Sequence, residues 1–422
     1  MRLKKIFKMK DRKLNQWIWK WHFIAGIISL PFVLVLSITG AIYLFNPKVE
    51  NETKESLEKV ETTTGITISF QQQWEVAKKK MKKNPNSMVL SSSSDKATEF
   101  ISGRFSHKKS LFVNPYTAEV SGTFSTKDTW MYTVRKLHGE LLGGKVGTKI
   151  IELIACWMIV LIITGLYVWW PFKRGVKGVF IIRLKEGKRI LFRDLHAVLG
   201  FWFSGLILLT LAGGLPWTDV FGANFKQLQK ITNTGYPKTW NGRGLTSVIS
   251  GETLTLDKIT EIAKKQNLKG VVSIGLPKNS KSTFSVSNKT FDLDAQKMLH
   301  FDQYSGKLIK QHNWGDVGFL MRGRMWVMAF HQGQFGVWNW WLMFGVAIML
   351  TFMSVAAILS YILRRKKGSL GIPKVPNSFK VEPIIFVLLL LLGIILPLFG
   401  ISLLIIMIFQ IIKKKSRMFV KR

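Results

Sequence analysis

The chain has 422 residues, 47% of them hydrophobic, a positive mean hydropathy and a formal net charge of +37 at pH 7. Its apolar residues gather in runs of about 20 or more, the length that crosses a hydrocarbon core of roughly 30 Å, which excludes a string of soluble domains and predicts an α-helical integral membrane protein. Much of the lysine and arginine flanks those runs, so the charge reads as cytoplasmic anchoring rather than nucleic-acid binding.

The chain opens with Arg2, Lys4, Lys5, Lys8, Lys10, Arg12 and Lys13 and enters a first span over about 17–45. That run is too long for the apolar part of a signal peptide and has no evident cleavage site, so an uncleaved anchor with its N-terminus inside is expected. Pro31 is a candidate kink. Residues 1–46 therefore form the basic segment and first span. Residues 47–134 are polar and read as a small α+β outer domain, with an amphipathic helix over 69–83 and strand-like runs at 88–90, 99–101 and 110–113 before the turn Asn114-Pro115-Tyr116-Thr117.

Residues 135–217 hold the second span, about 146–170, a basic inner loop with Lys173, Arg174, Lys177, Arg183, Lys185, Lys188 and Arg189, and the third span, about 193–217. A second outer domain over 218–320 repeats the outline of the first: a helix at 256–266, strands at 270–274 and 282–286, and a turn at Asp302-Gln303-Tyr304-Ser305-Gly306-Lys307. Residues 321–367 contain the fourth span, about 337–363, closed by Arg364-Arg365-Lys366-Lys367. In the remainder, 368–422, the apolar stretch 384–412 is broken by Pro397 and Gly400 and reads as one tilted span or a hairpin, the flanking basic residues favouring the hairpin. The fold class expected is a four-span duplicated helical bundle with two small α+β outer domains and a C-terminal hydrophobic hairpin or span.

The duplication rests on histidines. His22 and His196 each open an apolar run with a glycine four residues on, Gly26 and Gly200, and another eighteen residues on, Gly40 and Gly214. His138 and His331 each precede a later run that ends in a matched basic cluster, at Lys173 and Lys366. So four of the seven histidines stand at repeat-related span ends. An ionisable group there has either an interfacial position or a function. With the spans alternating in direction, His22 and His196 share the inner side and His138 and His331 the outer side. Twenty-three residues of helix, about 35 Å, separate His22 from the far end of its span, which rules out His22 with His138 and leaves the two cross-repeat pairs.

Two facing imidazoles suit the axial positions of a haem iron, whereas zinc needs further ligands that the spans do not supply at useful spacing. The single cysteine, Cys156, lies within a span; it permits no intramolecular disulfide or multi-thiolate site and reads as a small packing residue. With both axial positions filled by protein, the chemistry expected is electron transfer across the membrane through two haem groups of b type. There is no dinucleotide fingerprint and no P-loop, so a quinol or a cytoplasmic protein is the electron donor expected. His107, His300 and His312 fall in the outer segments and read as solvated. Arg322 and Arg324, before the fourth span, suit either interfacial anchoring or an anionic partner.

At these residues the chain resembles the PepSY-associated transmembrane family, iron-regulated inner-membrane proteins that include di-haem ferric-siderophore reductases. The residues that carry the likeness are His22 and Gly26 with Thr39-Gly40, Leu137-His138 with Thr164-Gly165 and Trp169-Trp170-Pro171, Asp194-Leu195-His196, and His331-Gln332-Gly333. The outer segments look like PepSY domains, most clearly at Asp302 to Lys307. The second half departs from the pattern: Gly213-Gly214 replaces Thr-Gly in the third span, and the fourth has none. The resemblance implies a multi-pass protein of the bacterial inner membrane, in contact with lipid, with its soluble domains in the periplasm. It further implies a haem-dependent oxidoreductase that reduces the iron of a ferric siderophore or similar ferric chelate on the outer side. The competing expectations are a haem-free siderophore permease and a PepSY-type binding or regulatory membrane protein.

Overall fold

The computed structural model describes residues 12–61, 66–91, 93–104, 107–170, 180–376, 379 and 381–419. The basic residues from Arg2 to Lys10, Pro171, and Lys173, Arg174 and Lys177 lie outside them. The chain divides into a helical unit, made of the residues up to Leu44, Arg135–Lys226 and those from Val327 onward, and a sheet unit, made of Phe45–Val134 and Gln227–Trp326.

Four helices of the helical unit are long and apolar enough to cross a membrane: α1 (Arg12–Tyr43), α5 (Gly144–Trp169), α6 (Lys188–Gly214) and α10 (Val337–Arg364). Their numbering follows chain order, with α2 (Asn46–Glu58), α3 (Phe70–Lys80) and α4 (Trp130–Glu140) before α5, and α7 (Val220–Ile231), α8 (Leu256–Lys265) and α9 (Phe319–His331) before α10. At 26 to 32 residues each, the four reach about 39 to 48 Å, more than a bilayer core requires. The chain is thus a multi-pass membrane protein. Contacts run from α1 to α5 and α10 and from α6 to α5 and α10. The helix α1 continues through Pro31 without interruption. In the α1–α10 interface the Ser37 and Thr351 hydroxyls lie 2.9 Å apart, and the Trp340 indole donates to the Leu44 carbonyl at the end of α1.

The C-terminal apolar stretch forms two helices, α11 (Pro383–Ile395) and α12 (Pro397–Phe419), packed against each other. Proline at 397 lacks the N–H to continue the first helix and suits the first turn of the second. Gly393 and Gly400 touch across the turn, and α12 lies on α5 through Phe399, whose ring meets Trp157 in a T-shaped contact, and Ser402, whose hydroxyl accepts the Trp157 N–H.

The sheet unit differs from the two separate domains expected over 47–134 and 218–320. Strands β1 (Ser87–Val89), β2 (Thr98–Ser102), β3 (Lys109–Val113) and β4 (Val120–Ser125) come from the first segment, and β5 (Val271–Gly275), β6 (Phe284–Lys289), β7 (Lys297–Phe301) and β8 (Leu308–Asn313) from the second. They form one antiparallel sheet in the order β4-β3-β2-β1-β5-β6-β7-β8. The reason is edge chemistry: β1 would be an unpaired edge in the first segment and β5 in the second, and each gives the other its hydrogen bonds. One face buries Met88, Phe100, Leu111, Ile274, Val286 and Leu299 beneath α3 and α8. These two helices cap each other: the Asp257 carboxylate at the start of α8 accepts the Phe70 and Gln71 N–H groups of α3, and the Gln71 side chain accepts the Leu256 N–H.

The hairpin turns also correspond. Asn114 Oδ1 accepts the Tyr116 N–H and Asp302 Oδ1 accepts the Tyr304 and Ser305 N–H groups, while each tyrosine hydroxyl donates to a serine carbonyl, of Ser94 and of Ser280. His107 is exposed, as expected of a solvated residue. His300 and His312 are not: they are 1% and 3% exposed on neighbouring strands, with ring centres 6.2 Å apart. Alternation along a strand hides polar residues as readily as apolar ones when a partner is supplied. His300 Nε2 donates to the Trp240 carbonyl, and His312 Nε2 pairs with the Thr239 hydroxyl.

Candidate functional site

The four span-end histidines all lie in the helical unit, His22 on α1, His138 near the end of α4, His196 on α6 and His331 at the end of α9. His138 and His331 come together, with ring centres 6.3 Å apart and planes at 55°. All four residues are half-buried.

Every one of these rings is held through Nδ1 by a helix other than its own. Thr164 on α5 holds His22, with Oγ1 3.0 Å from Nδ1, and Thr39 on α1 holds His138 at 3.1 Å. The hydroxyl hydrogens have other employment: Thr164 donates to the Val160 carbonyl and Thr39 to the Val35 carbonyl, both at 2.7 Å, the usual back-bond of a threonine inside a helix. Each threonine oxygen is therefore left as an acceptor, and the imidazole Nδ1 is the donor. In the second half His196 Nδ1 donates to the Met353 carbonyl at 3.2 Å and His331 Nδ1 to the Thr210 carbonyl at 2.9 Å. In all four rings this leaves Nε2 as the nitrogen with a free lone pair.

Glycines make these approaches possible. A Cβ at Gly40 would sit 3.1 Å from His138 Cε1, and one at Gly165 would sit 3.0 Å from His22 Cε1. At Gly213 it would meet the His331 Cβ at 2.6 Å. The Thr-Gly pair thus supplies an acceptor and a gap to a histidine from the opposite helix. Sequence reasoning found these pairs as motif residues and missed whom they serve; the carbonyls of Met353 and Thr210 are backbone atoms and leave no trace in residue identity.

A metal–imidazole bond is about 2 Å long, and two of them on opposite sides of one ion set the ring centres about 6 Å apart. The 6.3 Å separation of His138 and His331 fits that arrangement. Among the described residues no three His, Cys, Asp or Glu side chains gather as a metal site. Asp194, two residues before His196, has no exposed surface and both its oxygens are committed to the guanidinium groups of Arg183 and Arg193. It ties the segment before α6 to the helix start. Glu152, the carboxylate buried in α5, is likewise committed: its oxygens accept the Val220 and Phe221 N–H groups at the start of α7 at 2.8 and 2.9 Å. Cys156 is buried, as a packing residue should be. Arg324 is buried in the sheet unit near Tyr236, and burial draws its guanidinium below the usual value, whereas Arg322 is half-buried.

Fold and site together define a multi-pass helical membrane protein with oriented histidines inside its bundle and an eight-stranded sheet unit. The chain belongs to the family of the PepSY-associated TM region, whose model matches residues 19–364, a range that includes all four histidines. No curated protein matches it.

Proposed function

We propose that the protein is a di-haem transmembrane electron-transfer protein, a haem-dependent oxidoreductase that reduces siderophore-bound or similarly chelated ferric iron on the outer side of a bacterial inner membrane. The observation that carries this reading is the common treatment of four histidines: each is fixed at Nδ1 by another helix and offers Nε2, and two of them stand at the separation of ligands to one ion. His22 with His196 would hold one b-type haem and His138 with His331 the other. Each haem, when bound, would supply a one-electron iron couple.

The residues of the chain do the rest. Thr39, Thr164 and the carbonyls of Thr210 and Met353 hold the rings against rotation, so no energy is spent aligning them when a cofactor enters. The substrate is the iron of a ferric chelate: one electron converts it to ferrous iron, which hard oxygen donors hold less tightly, and the metal is released. The electron comes from a quinol or a cytoplasmic protein. The basic ends of α6 and α10, at Lys188, Arg189, Arg193, Arg364 and Arg365, support placing those ends in the cytoplasm and the sheet unit in the periplasm. The symmetrical strand order and the repeat-related spacing of the four histidines support a duplicated origin of the chain.

An absorption spectrum tests the cofactor. Protein purified from haem-supplied cells should show a low-spin Soret band that shifts on dithionite, with two haems per chain. His22→Ala and His331→Ala should each remove about half of the haem. A colourless wild-type protein would leave the permease and the PepSY-type regulatory reading instead.

A further inference from the structure

Of the arginines at the basic ends of α6 and α10, one is placed unlike the others. Arg183 and Arg193 commit their guanidinium groups to the buried Asp194, and Arg365 lies exposed beside the ring of Tyr361. Arg364 packs on α1 instead. Its guanidinium carbon stands 5.7 Å from the ring centre of Trp19 and 4.7 Å from that of Phe23, and Tyr361, one turn earlier on α10, meets the same Phe23 at 5.7 Å. Stacking on aromatic faces suits the plane of a guanidinium, but it satisfies none of its N–H donors. Nη2 is buried and has no hydrogen-bond partner among the described residues. The chain after α10 returns over this nitrogen with Gly371, where a Cβ would lie 3.6 Å from it, and the Tyr361 hydroxyl donates to the adjacent Leu370 carbonyl. A covered donor on a side chain that keeps its proton is costly unless an anion meets it.

The surroundings of that nitrogen favour one anion. Trp19 lies one turn before His22 on α1, and the two rings are nearly parallel, 18° apart with centres 6.3 Å from each other. Trp19 is thus a neighbour of both the guanidinium and the imidazole. A b-type haem carries two propionate carboxylates at one edge, so an acidic group arrives with the cofactor at about a macrocycle's radius from the iron. We infer that Arg364 is the anion-binding residue for a propionate of the cofactor held by His22 and His196, set in place by the Trp19 and Phe23 rings. This rests on the haem reading above. The pairing is of the charge-assisted kind that a guanidinium makes with a carboxylate. A lipid phosphate is the other source of an anion near a span end, and the exposed Arg365 is the residue placed for it.

The test is a spectroelectrochemical titration with a haem count on the full chain purified from haem-supplied cells, comparing wild type with Arg364→Gln, Arg364→Lys and Arg365→Gln. His22→Ala marks, by what it loses, which centre belongs to His22. A guanidinium near the iron disfavours the ferric state, which carries one more positive charge. Arg364→Gln should therefore lower the midpoint potential of the His22 centre alone and weaken its hold on haem by about 10- to 100-fold. Arg364→Lys keeps the charge and loses the planar fork, so it should shift the same centre in the same direction and by less. Arg365→Gln should match wild type at both centres. Wild-type potentials and retention in the Arg364 variants, or in the lysine variant alone where the glutamine protein does not fold, would overturn the inference while leaving two haems in place. Equal shifts at both centres would overturn it as well. So would unchanged haems in Arg364→Gln accompanied by loss of co-purifying anionic phospholipid, which would assign the nitrogen to a headgroup. Haem-free wild-type protein would instead remove the reading beneath it, and the inference with it.

Discussion

A carboxylate with no exposed surface in a spanning helix needs a reason, and Glu152 has one in the two N–H groups it caps at Val220 and Phe221. Glu152→Ala leaves both donors unsatisfied in a buried place, at a cost of about 1–3 kcal/mol for each group. Glu152→Gln keeps one acceptor and should lie between the two in a thermal-denaturation series. Equal midpoints for all three proteins would show that water or lipid headgroups satisfy α7 without it. The buried histidines of the sheet unit make a pH prediction. Burial lowers the affinity of His300 and His312 for a proton, and the charge of Lys310 adds to the effect at His312. Facing charges are otherwise Asp316 near His312 and the two rings themselves. Because the folded rings titrate below their unfolded value of about 6.5, the unfolded chain binds more protons as pH falls through that value. Stability is unaffected above it and is lost progressively below it, until the folded rings also protonate. Trp240 lies 5.6 Å from the His312 ring, so tryptophan fluorescence during urea unfolding at pH 7.5 and pH 5 reads the change, and the unfolding midpoint should be lower at pH 5. Replacement of both histidines by glutamine should flatten that dependence.

Among the elements, those that differ most from their surroundings in composition were legible from sequence. The four spans lie within a few residues of their expected bounds because a bilayer demands an apolar run of a length that soluble helices rarely have. The break at Pro397 marked the hairpin for the same kind of reason, a missing N–H. The helix α2 was not legible: Asn46 to Glu58 has only Val49 and Leu57 among its aliphatic residues and buries no residue fully, too little for an apolar stripe to read. β8 is also hidden, with four of its six residues exposed in succession before His312. At the candidate site, His22, His138, His196 and His331 were legible by spacing, and the partners of each ring were not, since carbonyls are among them. Element packing makes its own prediction at the hairpin. A Cβ at Gly400 would lie 2.7 Å from the Gly393 carbonyl oxygen, a backbone atom that can move only with its helix. Gly400→Val should push α11 from α12 and cost about 1–3 kcal/mol as overpacking does, read as a lower thermal midpoint. Substitution at Gly345, where a Cβ meets nothing, is the control and should leave the midpoint in place.

For the molecule as a whole, the central question is whether its two halves are independent, and the sheet answers it at the β1–β5 joint. Only three residue pairs form this ladder, Ser87 with Gly275, Met88 with Ile274 and Val89 with Ser273, but the Leu90 and Leu276 N–H groups extend it at both ends. Met88 and Ile274 are directly opposed, wholly buried, and in one core with residues of β2, β3, β6 and β7. Cross-strand packing of this kind stabilises both segments at once, and the reciprocal caps between α3 and α8 add a second tie across the same joint. A cavity at Ile274 should therefore be felt on both sides. Ile274→Ala is expected to cost about 2–5 kcal/mol, and the decisive measurement is where that loss is felt. In native-state hydrogen exchange, amides of β2 and β3 should lose protection together with those of β6 and β7, by the same free energy, because the sheet opens as one cooperative unit. Loss confined to β5 through β8 would mean that each half keeps its own core, and that the eight strands are two four-stranded sheets touching at an edge.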